Sequence, residues 1–380
     1  MFCRYFRDNL CRSCSLLNST LSDSLRQKEQ SLQALFPDVD CIQPVRSSGT
    51  AEGSRIRAKL AIAGTADAPL VGFPGANGTH VPVDDCPLHH PLIRSFTEQL
   101  PQLIRDYRLT PFDVATNRGE LKFVLVTCSP THQQLMVQWI VRSRECIDRL
   151  KKLWQHKDPS LNLTVMCASL QPLRTSLMRG TDDTWLSDVK HLPVTYGQRT
   201  VLYSPHSFIQ TNYFAALDLY STAADVLKHH GSQSLLDLYC GVGAFSLSCC
   251  GPNMKCVGVE INESSVACAQ EAARLNELPL LSFIPYDATA SKTSLAQATG
   301  IQCEAWDAVI CNPPRRGLDS SVVDLLQDLQ PKLILYSSCN PQTLARDFRL
   351  LPGYRIERLS PFDMFPFTTH MEVLCVLTRR

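Results

Sequence analysis

The sequence predicts an α/β protein whose second half is a mostly parallel, doubly wound sheet, preceded by a smaller α+β region. Strands and helices alternate after about residue 200, which is the pattern of such a sheet. The stretch 234–245 has the pattern of a buried strand, a glycine turn and a helix, and a second strand ends at Glu260. Because 380 residues suggest two domains, we predict them at residues 1–195 and 196–380.

The stretch 335–347, LYSSCNPQTLARD, places a cysteine between a strand and a helix. Residues 332–336 predict a short buried strand, and Asn340 followed by Pro341 favours a helix that begins at Pro341. Cys339 then lies just before a helix N-terminus, whose partial positive charge is expected to favour the thiolate. A buried structural thiol is the alternative, but the polar turn around Cys339 argues for a nucleophile.

Composition and cysteine content limit the classes of protein to which the chain can belong. Apolar residues make up 44% of the chain, charged residues 19%, and no segment is apolar for long enough to cross a membrane. The N-terminus carries charges where a signal peptide needs an apolar core, so 17 cysteines favour reduced thiols, metal ligands or catalysis. We therefore expect a cytoplasmic protein. A net charge of +1 gives no nucleic-acid footprint by itself.

Four cysteines form a candidate metal site: Cys3, Cys11, Cys14 and Cys86. The first three have the spacing C-x7-C-x2-C, and 71 residues separate the third from the fourth. Four thiolates can hold an iron–sulfur cluster, and a proline follows Cys86 as it follows a ligand cysteine in ferredoxin-type runs. Structural zinc is the rival, although it more often uses two short cysteine pairs. The spacing predicts a metal site and leaves the metal open, with unrelated cysteines as the remaining alternative.

The first half has the mixed pattern of an α+β module. Helices are predicted at 21–36, 91–108 and 145–154, and strands at 54–63, 121–127, 135–142 and 161–168. In the first strand Arg55, Arg57 and Lys59 share one face. Such a face could meet RNA phosphates or be an ordinary solvated edge, and the sequence does not decide between them.

The glycine turn predicts a nucleoside-binding pocket. Gly241 and Gly243 let the backbone approach a ligand at the carboxyl end of the first strand, whereas Ser246 replaces the third glycine of a dinucleotide-binding loop. Glu260 ends the next strand, about twenty residues on, and suits a ribose hydroxyl pair. The sequence has no phosphate-cradling loop with its lysine, so S-adenosylmethionine fits better than a nucleotide.

Two later stretches supply further polar groups. The strand in WDAVICNPPRRG ends in Asn312 and two prolines, a turn that in many methyltransferases lies where the donor methyl and the target base meet. Arg315 follows where amino-group enzymes have an aromatic residue that stacks on the base, which disfavours an adenine nitrogen as target. Near the C-terminus, Glu372 opens a last strand and His370 lies two residues before it, so either could act as a base.

These residues suit methylation at carbon 5 of a uracil. That carbon is a poor nucleophile until a thiolate adds to carbon 6, and a base must remove its proton after it has taken the methyl group. Cys339, Glu372 and the glycine-turn pocket would supply nucleophile, base and donor site over one edge of the sheet. The thiolate can reach the face of the ring only if the base is unpaired or flipped out, as in an RNA loop.

Five separated motifs resemble the RNA uracil-C5 methyltransferase family: SFIQTN, DLYCGVGAF, NPPRRG, SSCNPQTLARD and FPFTTHME. The resemblance spans nearly the whole chain and implies a class I, Rossmann-like methyltransferase domain. The four-cysteine arrangement is similar to that of the iron–sulfur members, which implies an N-terminal domain that carries a cluster and binds RNA. The N-terminus and NPPRRG resemble the bacterial members that act on 23S rRNA.

The resemblance also implies roles for individual residues. It implies four contacts to S-adenosylmethionine: Gln210, Tyr239, Glu260 and Asn312. It implies four ligands of a [4Fe–4S] cluster: Cys3, Cys11, Cys14 and Cys86. Cys339 would be the nucleophile and Glu372 the base that removes the proton. Tyr239 stands where phenylalanine is common, and Asn312 replaces an aspartate, which keeps a hydrogen-bonding side chain and loses a charge.

The function expected from the residues and the resemblance is formation of 5-methyluridine in a 23S rRNA loop, with no obligate protein partner. The same chemistry on tRNA is the nearest alternative; the cluster cysteines argue against it, because the dedicated bacterial tRNA members lack them. A non-catalytic RNA-binding or ribosome assembly factor is an alternative from another class, disfavoured by intact Cys339 and Glu372. An amino-methyltransferase is a distant third.

Overall fold

The computed structural model describes residues 1–74, 80–173, 175, 178, 180, 182–289 and 306–380. The chain forms two compact units. Unit 1 comprises Met1–Cys14, Thr50–Val194 and Ser204–Tyr213, and unit 2 comprises Ser15–Gly49, Thr195–Tyr203 and Phe214–Arg380. The units differ from the predicted split at residue 195 mainly because Ser15–Gly49 belongs to unit 2. Leu32 and Phe36 of that segment are buried in the apolar core of unit 2, a contact that sequence order does not reveal.

Unit 1 is built on a seven-stranded sheet. In chain order its strands are β1 (Arg57–Gly64), β2 (Pro69–Pro74), β3 (His80–Pro82), β4 (Leu121–Ser129), β5 (Gln134–Val141), β6 (Leu163–Leu170) and β7 (Asp183–Trp185). They lie side by side in the order β3-β2-β1-β4-β5-β6-β7, and only β5 and β6 are parallel. In the part of unit 1 that the structure describes, three helices accompany them, α1 (Arg4–Arg7), α3 (Pro91–Asp106) and α4 (Ile147–Gln155), with a short 3-10 turn at Pro159–Leu161. The predicted strands and the helices near 91–108 and 145–154 are confirmed within a few residues.

Helix α3 has both a local start signal and an amphipathic face. Pro91 occupies the first turn and the His90 side chain accepts a hydrogen bond from the Leu92 N–H, so the sequence marks the start of the helix. Apolar side chains buried by the helix recur at three- to four-residue spacing: Ile93, Phe96, Leu100 and Ile104. The helix therefore follows from a local start signal and an amphipathic repeat.

Unit 2 contains the predicted doubly wound sheet. Its strands are β10 (Ser234–Leu238), β11 (Lys255–Glu260), β12 (Leu281–Pro285), β13 (Ala308–Cys311), β14 (Leu333–Ser338), β15 (Tyr354–Phe362) and β16 (Glu372–Arg379). The spatial order is β12-β11-β10-β13-β14-β16-β15, and the first five strands are parallel. A separate two-stranded sheet joins β8 (Leu192–Tyr196) and β9 (Arg199–Tyr203). The mostly parallel α/β sheet is confirmed.

Within the described ranges, the helices that accompany the unit 2 sheet are α2 (Leu21–Leu35), α5 (Tyr213–His229), α6 (Ala244–Cys249), α7 (Glu263–Leu275), α8 (Ser320–Leu329) and α9 (Pro341–Phe348); α5 begins at the last residue of unit 1. Among the described residues, no helix is both long and apolar enough to cross a membrane.

The topology of unit 2 collects polar residues at one edge. The carboxyl ends of β10, β11, β13 and β14 meet there, because these strands are parallel. Strand β16 runs antiparallel to β14, with Ser338 opposite Val373 and Ser337 opposite Leu374. Continuing this register by one residue brings Cys339 opposite Glu372. The start of β16 and the end of β14 therefore share the edge at which the glycine turn lies.

Candidate active site

The glycine turn after β10 is held open by its backbone. Tyr239, Gly241 and Gly243 have φ of +62°, +57° and +77°, a left-handed conformation that favours glycine. A side chain at Gly243 would place its Cβ 2.4 Å from the Phe283 ring, whereas nothing lies within 4 Å of a Cβ at Gly241. Gly243 therefore serves close packing, and Gly241 borders open space at the edge of the sheet.

Glu260 is fixed beside this turn. Its carboxylate accepts hydrogen bonds from the Gly241 N–H at 3.1 Å and from the Asn262 N–H at 2.8 Å. The side chain is half-buried. The carboxylate predicted to contact a ribose thus has a defined orientation next to the space at Gly241.

Several buried polar atoms near this edge have no hydrogen-bond partner within the described part of the chain. They are Asp237 Oδ1 and the hydroxyl oxygens of Tyr239 and Tyr286. Burial raises the pKa of Asp237 to about 7, although the Ser246 hydroxyl donates to its other oxygen at 2.5 Å. Because buried polar groups almost always have partners, these atoms indicate that a polar ligand or ordered water completes the site.

The predicted S-adenosylmethionine contacts are divided between the units. Tyr239, Glu260 and Asn312 belong to unit 2, each directly after or at the end of a parallel strand. Gln210 belongs to unit 1, where its side chain is buried.

The NPPRRG loop is bound to helix α9 along its length. The Asn340 side chain donates to the Arg315 carbonyl at 3.0 Å, and the Arg346 guanidinium donates to the Arg316 carbonyl at 2.8 Å. Asp347, fully buried, accepts from the Leu318 N–H at 2.8 Å. Two motifs that are separate in the sequence therefore form one structural element around Cys339.

Cys339 lies half-buried between β14 and α9, and the predicted start of the helix at Pro341 is confirmed. The prediction that the surroundings of Cys339 favour the thiolate is wrong. Burial raises the pKa of the Cys339 thiol, and the nearby charge of Glu372 raises that pKa further. The Arg315 side chain opposes both effects through its charge and a hydrogen bond, and a backbone hydrogen bond at Cys339 also lowers the pKa of the thiol.

Glu372 is buried at the start of β16 and accepts a hydrogen bond from the Ser337 hydroxyl. Burial raises the pKa of Glu372 to about 7, while the Ser337 hydroxyl lowers it. A carboxyl group with a pKa near 7 can both take and give a proton at neutral pH. Because its charge acts on Cys339, Glu372 fits the role of base at this centre.

His370, the other candidate base, is exposed, and its Nδ1 lies 3.3 Å from a guanidinium nitrogen of Arg315. Burial and the Arg315 charge lower the pKa of His370, so the ring is neutral near pH 7 and can accept from Arg315. His370 thus orients the Arg315 side chain.

Sequence reasoning missed the supporting groups. The sequence marks Arg315 only as the replacement of an aromatic residue, and it gives no role to Ser337 or Asp347. Ser337 could have been found from the strand register, which pairs β14 with β16. Asp347 could not have been found in this way, because its partner Leu318 is 29 residues away in the chain.

The four candidate metal ligands all belong to unit 1 and affect one another electrostatically. Burial raises the pKa of Cys14 to about 12, and Cys86, Cys11 and Cys3 add to the effect while Arg55 opposes it. The Tyr5 carbonyl accepts from the Cys11 N–H at 3.0 Å, and the Tyr5 hydroxyl accepts from the Asp85 N–H at 3.0 Å. Within the described ranges, no group of three or more His, Cys, Asp or Glu residues is placed so that it could hold a metal ion.

Only part of the predicted basic face of β1 is exposed to solvent. Arg57 donates to the carbonyls of Ser207 at 2.6 Å and Pro205 at 2.7 Å, and burial lowers its pKa to about 10. Arg55 is half-buried, and its charge acts on Cys14. Of the three side chains, only Lys59 is exposed.

Comparisons with known proteins agree with this geometry. The model of the tRNA (Uracil-5-)-methyltransferase family matches residues 20–380. The 23S rRNA (uracil(747)-C(5))-methyltransferase RlmC of Yersinia pestis strain Pestoides F is 37% identical over 384 residues, and that of Yersinia pseudotuberculosis serotype O:1b is 36% identical over 382 residues. In both alignments 100% of each chain is covered.

Solved structures show the same fold. The crystal structure of Pyrococcus abyssi tRNA (uracil-54, C5)-methyltransferase in complex with S-adenosyl-L-homocysteine superimposes with a TM-score of 0.79 at 24% identity, covering 97% of this chain and 86% of that one. The site geometry, the family match and the full-length relatives lead to one conclusion. The chain belongs to the tRNA (uracil-5-)-methyltransferase family of S-adenosylmethionine-dependent RNA methyltransferases.

Proposed function

We propose that this protein transfers a methyl group from S-adenosylmethionine to carbon 5 of a uridine in 23S rRNA, through a covalent adduct between Cys339 and carbon 6. The observation that carries the proposal is the placement of Cys339 and Glu372 at one sheet edge, close enough for the Glu372 charge to act on the thiol. Full-length similarity to enzymes named for 23S rRNA supports the choice of substrate.

Cys339 starts the reaction. Its thiol must lose a proton, and Arg315 supplies the positive charge that stabilises the resulting thiolate. The sulfur then adds to carbon 6 of the uracil, and the electron pair of the ring double bond moves onto the carbonyl oxygen as an enolate. Bound S-adenosylmethionine would supply an electrophilic methyl group: carbon 5 of the enolate bonds to it as its bond to the donor sulfur breaks, which leaves S-adenosylhomocysteine.

Glu372 completes the reaction. Its carboxylate takes the proton from carbon 5, the C–H electron pair re-forms the double bond between carbons 5 and 6, and the sulfur of Cys339 leaves with its own electron pair. With a pKa of about 7, Glu372 is substantially ionised at neutral pH and remains basic enough to accept this proton. The overall reaction consumes no electrons.

The methyl donor would be held by Gln210, Tyr239, Glu260 and Asn312. Glu260 presents a fixed carboxylate to a ribose, next to the space at Gly241. The unpartnered hydroxyl of Tyr239 and carboxylate oxygen of Asp237 are polar groups that a nucleoside or amino-acid ligand can satisfy.

A [4Fe–4S] cluster would be held in unit 1, which would also bind RNA. Its ligands would be Cys3, Cys11, Cys14 and Cys86. Burial and the neighbouring cysteines raise the pKa of Cys14 and Cys86, so that without a nearby metal cation both stay neutral thiols. A cluster would supply positive iron and bind the cysteines as thiolates. The cluster would have a structural role, because no step above needs an electron. Loss of methylation on one-electron reduction, with the fold intact, would contradict that role.

The substrate is tested with RNA transcripts. A fragment of 23S rRNA and a full tRNA are each incubated with the protein and S-adenosylmethionine, and the digested nucleosides are identified by mass spectrometry. We expect 5-methyluridine in the rRNA fragment only. Methylation of tRNA alone would support the proposed reaction but contradict 23S rRNA as the substrate. Tight RNA binding without methylation would favour a non-catalytic RNA-binding factor.

A further inference from the structure

A lysine from the N-terminal segment lies inside unit 2. The side chains of Lys28 on α2 and Asp363 after β15 are 0% and 1% exposed and form an ion pair. Lys28 Nζ also donates to the Phe365 carbonyl at 3.0 Å. Burial lowers the pKa of Lys28, and the Asp363 carboxylate opposes the change. One ammonium group therefore binds two points of the segment that follows β15.

A buried ion pair is an unusual choice for stability alone. Lysine is almost never fully buried unless it is paired, and removing two charges from water costs about as much as their attraction returns. Apolar side chains of similar volume often stabilise such a site equally well. The ion pair does, however, specify one geometry, because the ammonium must meet both the Asp363 carboxylate and the Phe365 carbonyl.

The segment held by Lys28 leads directly to the proposed base. Residues 363–371 connect β15 to β16, and Glu372 is the next residue. The N-terminal segment contacts this connection twice more: the Arg46 carbonyl accepts from the Asp363 N–H at 2.8 Å, and the Leu16 N–H donates to the Phe367 carbonyl at 2.9 Å. Phe367 is buried with a left-handed φ of +57°, so the connection has a particular, unfavourable shape that other contacts must maintain.

Helix α2 therefore contacts the segment that leads to Glu372. We propose that Lys28 is a positioning residue for the proton-removal step: through Asp363 and Phe365 it holds residues 363–371 so that the Glu372 carboxylate faces the adduct on Cys339. Lys28 touches neither nucleophile nor base in this role. The inference rests on the proposed function, because it assumes that Glu372 removes the proton.

The test separates methyl transfer from proton removal. Lys28→Met alone would leave Asp363 buried without its cation, so the primary variant is the double substitution K28M/D363L, which keeps the volume and removes both charges. Rapid quenching with ordinary uridine RNA then measures two rates: labelled methyl entering the protein–RNA adduct, and methylated RNA leaving it.

A displaced base slows only the second rate. We expect methyl transfer into the adduct and the KM for S-adenosylmethionine to stay within about twofold of wild type, while release of methylated RNA falls about 10- to 100-fold. Adduct should therefore accumulate on an unmodified substrate, which a general loss of folding would not produce. K28Q/D363N, which removes both charges and keeps an uncharged donor for the Phe365 carbonyl, decides the matter if K28M/D363L does not fold, and should slow release less strongly.

Arg26→Met is the matched control, because Arg26 is an exposed cation on the same helix whose ion-pair partner is Asp23. Its release rate should equal that of the wild type. A wild-type release rate in a folded K28M/D363L protein would overturn the inference while leaving the proposed function intact. The same holds for K28Q/D363N if that is the variant that folds. Failure of the wild type to form any adduct would instead reject the proposed function.

Discussion

Replacement of Ser337 by alanine should change the pH at which the enzyme completes its reaction. The Ser337 hydroxyl donates to the Glu372 carboxylate and lowers the pKa of Glu372, which burial holds at about 7. A hydrogen bond to a charged group is worth about 1.5–3 kcal/mol, and each 1.36 kcal/mol moves a pKa by one unit. Ser337→Ala should therefore raise the pKa of Glu372 by roughly one to two units.

The assay follows the decay of the methylated adduct after a pH jump. Once Cys339 is bonded to carbon 6 it has no thiol proton, so the pH dependence of this step reports the base. In the wild type the rate should rise with pH to a plateau, with a midpoint near the pKa of about 7 for Glu372. In Ser337→Ala the midpoint should move up by roughly one to two pH units.

Ser338→Ala is the matched control, because the Ser338 hydroxyl bonds to the backbone of Asn340 and not to Glu372. It should leave the midpoint unchanged, whatever it does to the plateau. An unchanged or lower midpoint in Ser337→Ala would refute the assignment of Glu372 as the base whose charge this hydroxyl stabilises.

Three further changes test other parts of the site. Glu372→Gln should leave the free energy of unfolding unchanged near pH 4 and raise it by up to about 3 kcal/mol at pH 8, since the native carboxyl, with a pKa raised from 4.5 to about 7, is destabilised only where it ionises. Urea unfolding curves at both pH values measure this difference. Equal free energies of unfolding for the wild type and Glu372→Gln at pH 8 would contradict the prediction. Gly243→Ala should destabilise the fold by about 1–3 kcal/mol, because its Cβ would stand 2.4 Å from the Phe283 ring, and an unchanged thermal midpoint would argue against that close packing. Cys14→Ser should abolish iron binding in protein purified without oxygen, and iron analysis showing wild-type content would exclude Cys14 as a ligand.

The parts of the fold and site that the sequence predicted depend on local chemistry. A glycine turn after a buried strand, an acid at the end of the next strand and an Asn-Pro helix start are each contained in a few consecutive residues, and the structure has all three. Parallel strands then place their carboxyl ends at one edge, so local motifs predict a shared site. This reasoning located Glu260 and Cys339 within the fold.

The parts that the sequence did not predict depend on contacts between distant residues. Burial and the charge of Glu372 raise the pKa of Cys339. The residues around the helix start at Pro341 predict a lowered pKa, because they reveal neither the burial nor the proximity of Glu372. The membership of Ser15–Gly49 in unit 2 and the ion pair of Lys28 with Asp363 arise from tertiary packing across more than 300 positions of the chain. A lysine within an amphipathic helix ordinarily indicates a solvated face, so Lys28 gave no signal.

The most direct test of the account is to trap and map the adduct. A 23S rRNA fragment with 5-fluorouridine is mixed with the protein and S-adenosylmethionine, separated on a denaturing gel and digested for mass spectrometry. Fluorine at carbon 5 cannot leave as a proton, so a true substrate should remain bonded to the enzyme. We expect an adduct on the peptide that contains Cys339, and none with Cys339→Ala. An adduct on another residue, or methylation of ordinary RNA by Cys339→Ala, would contradict the account.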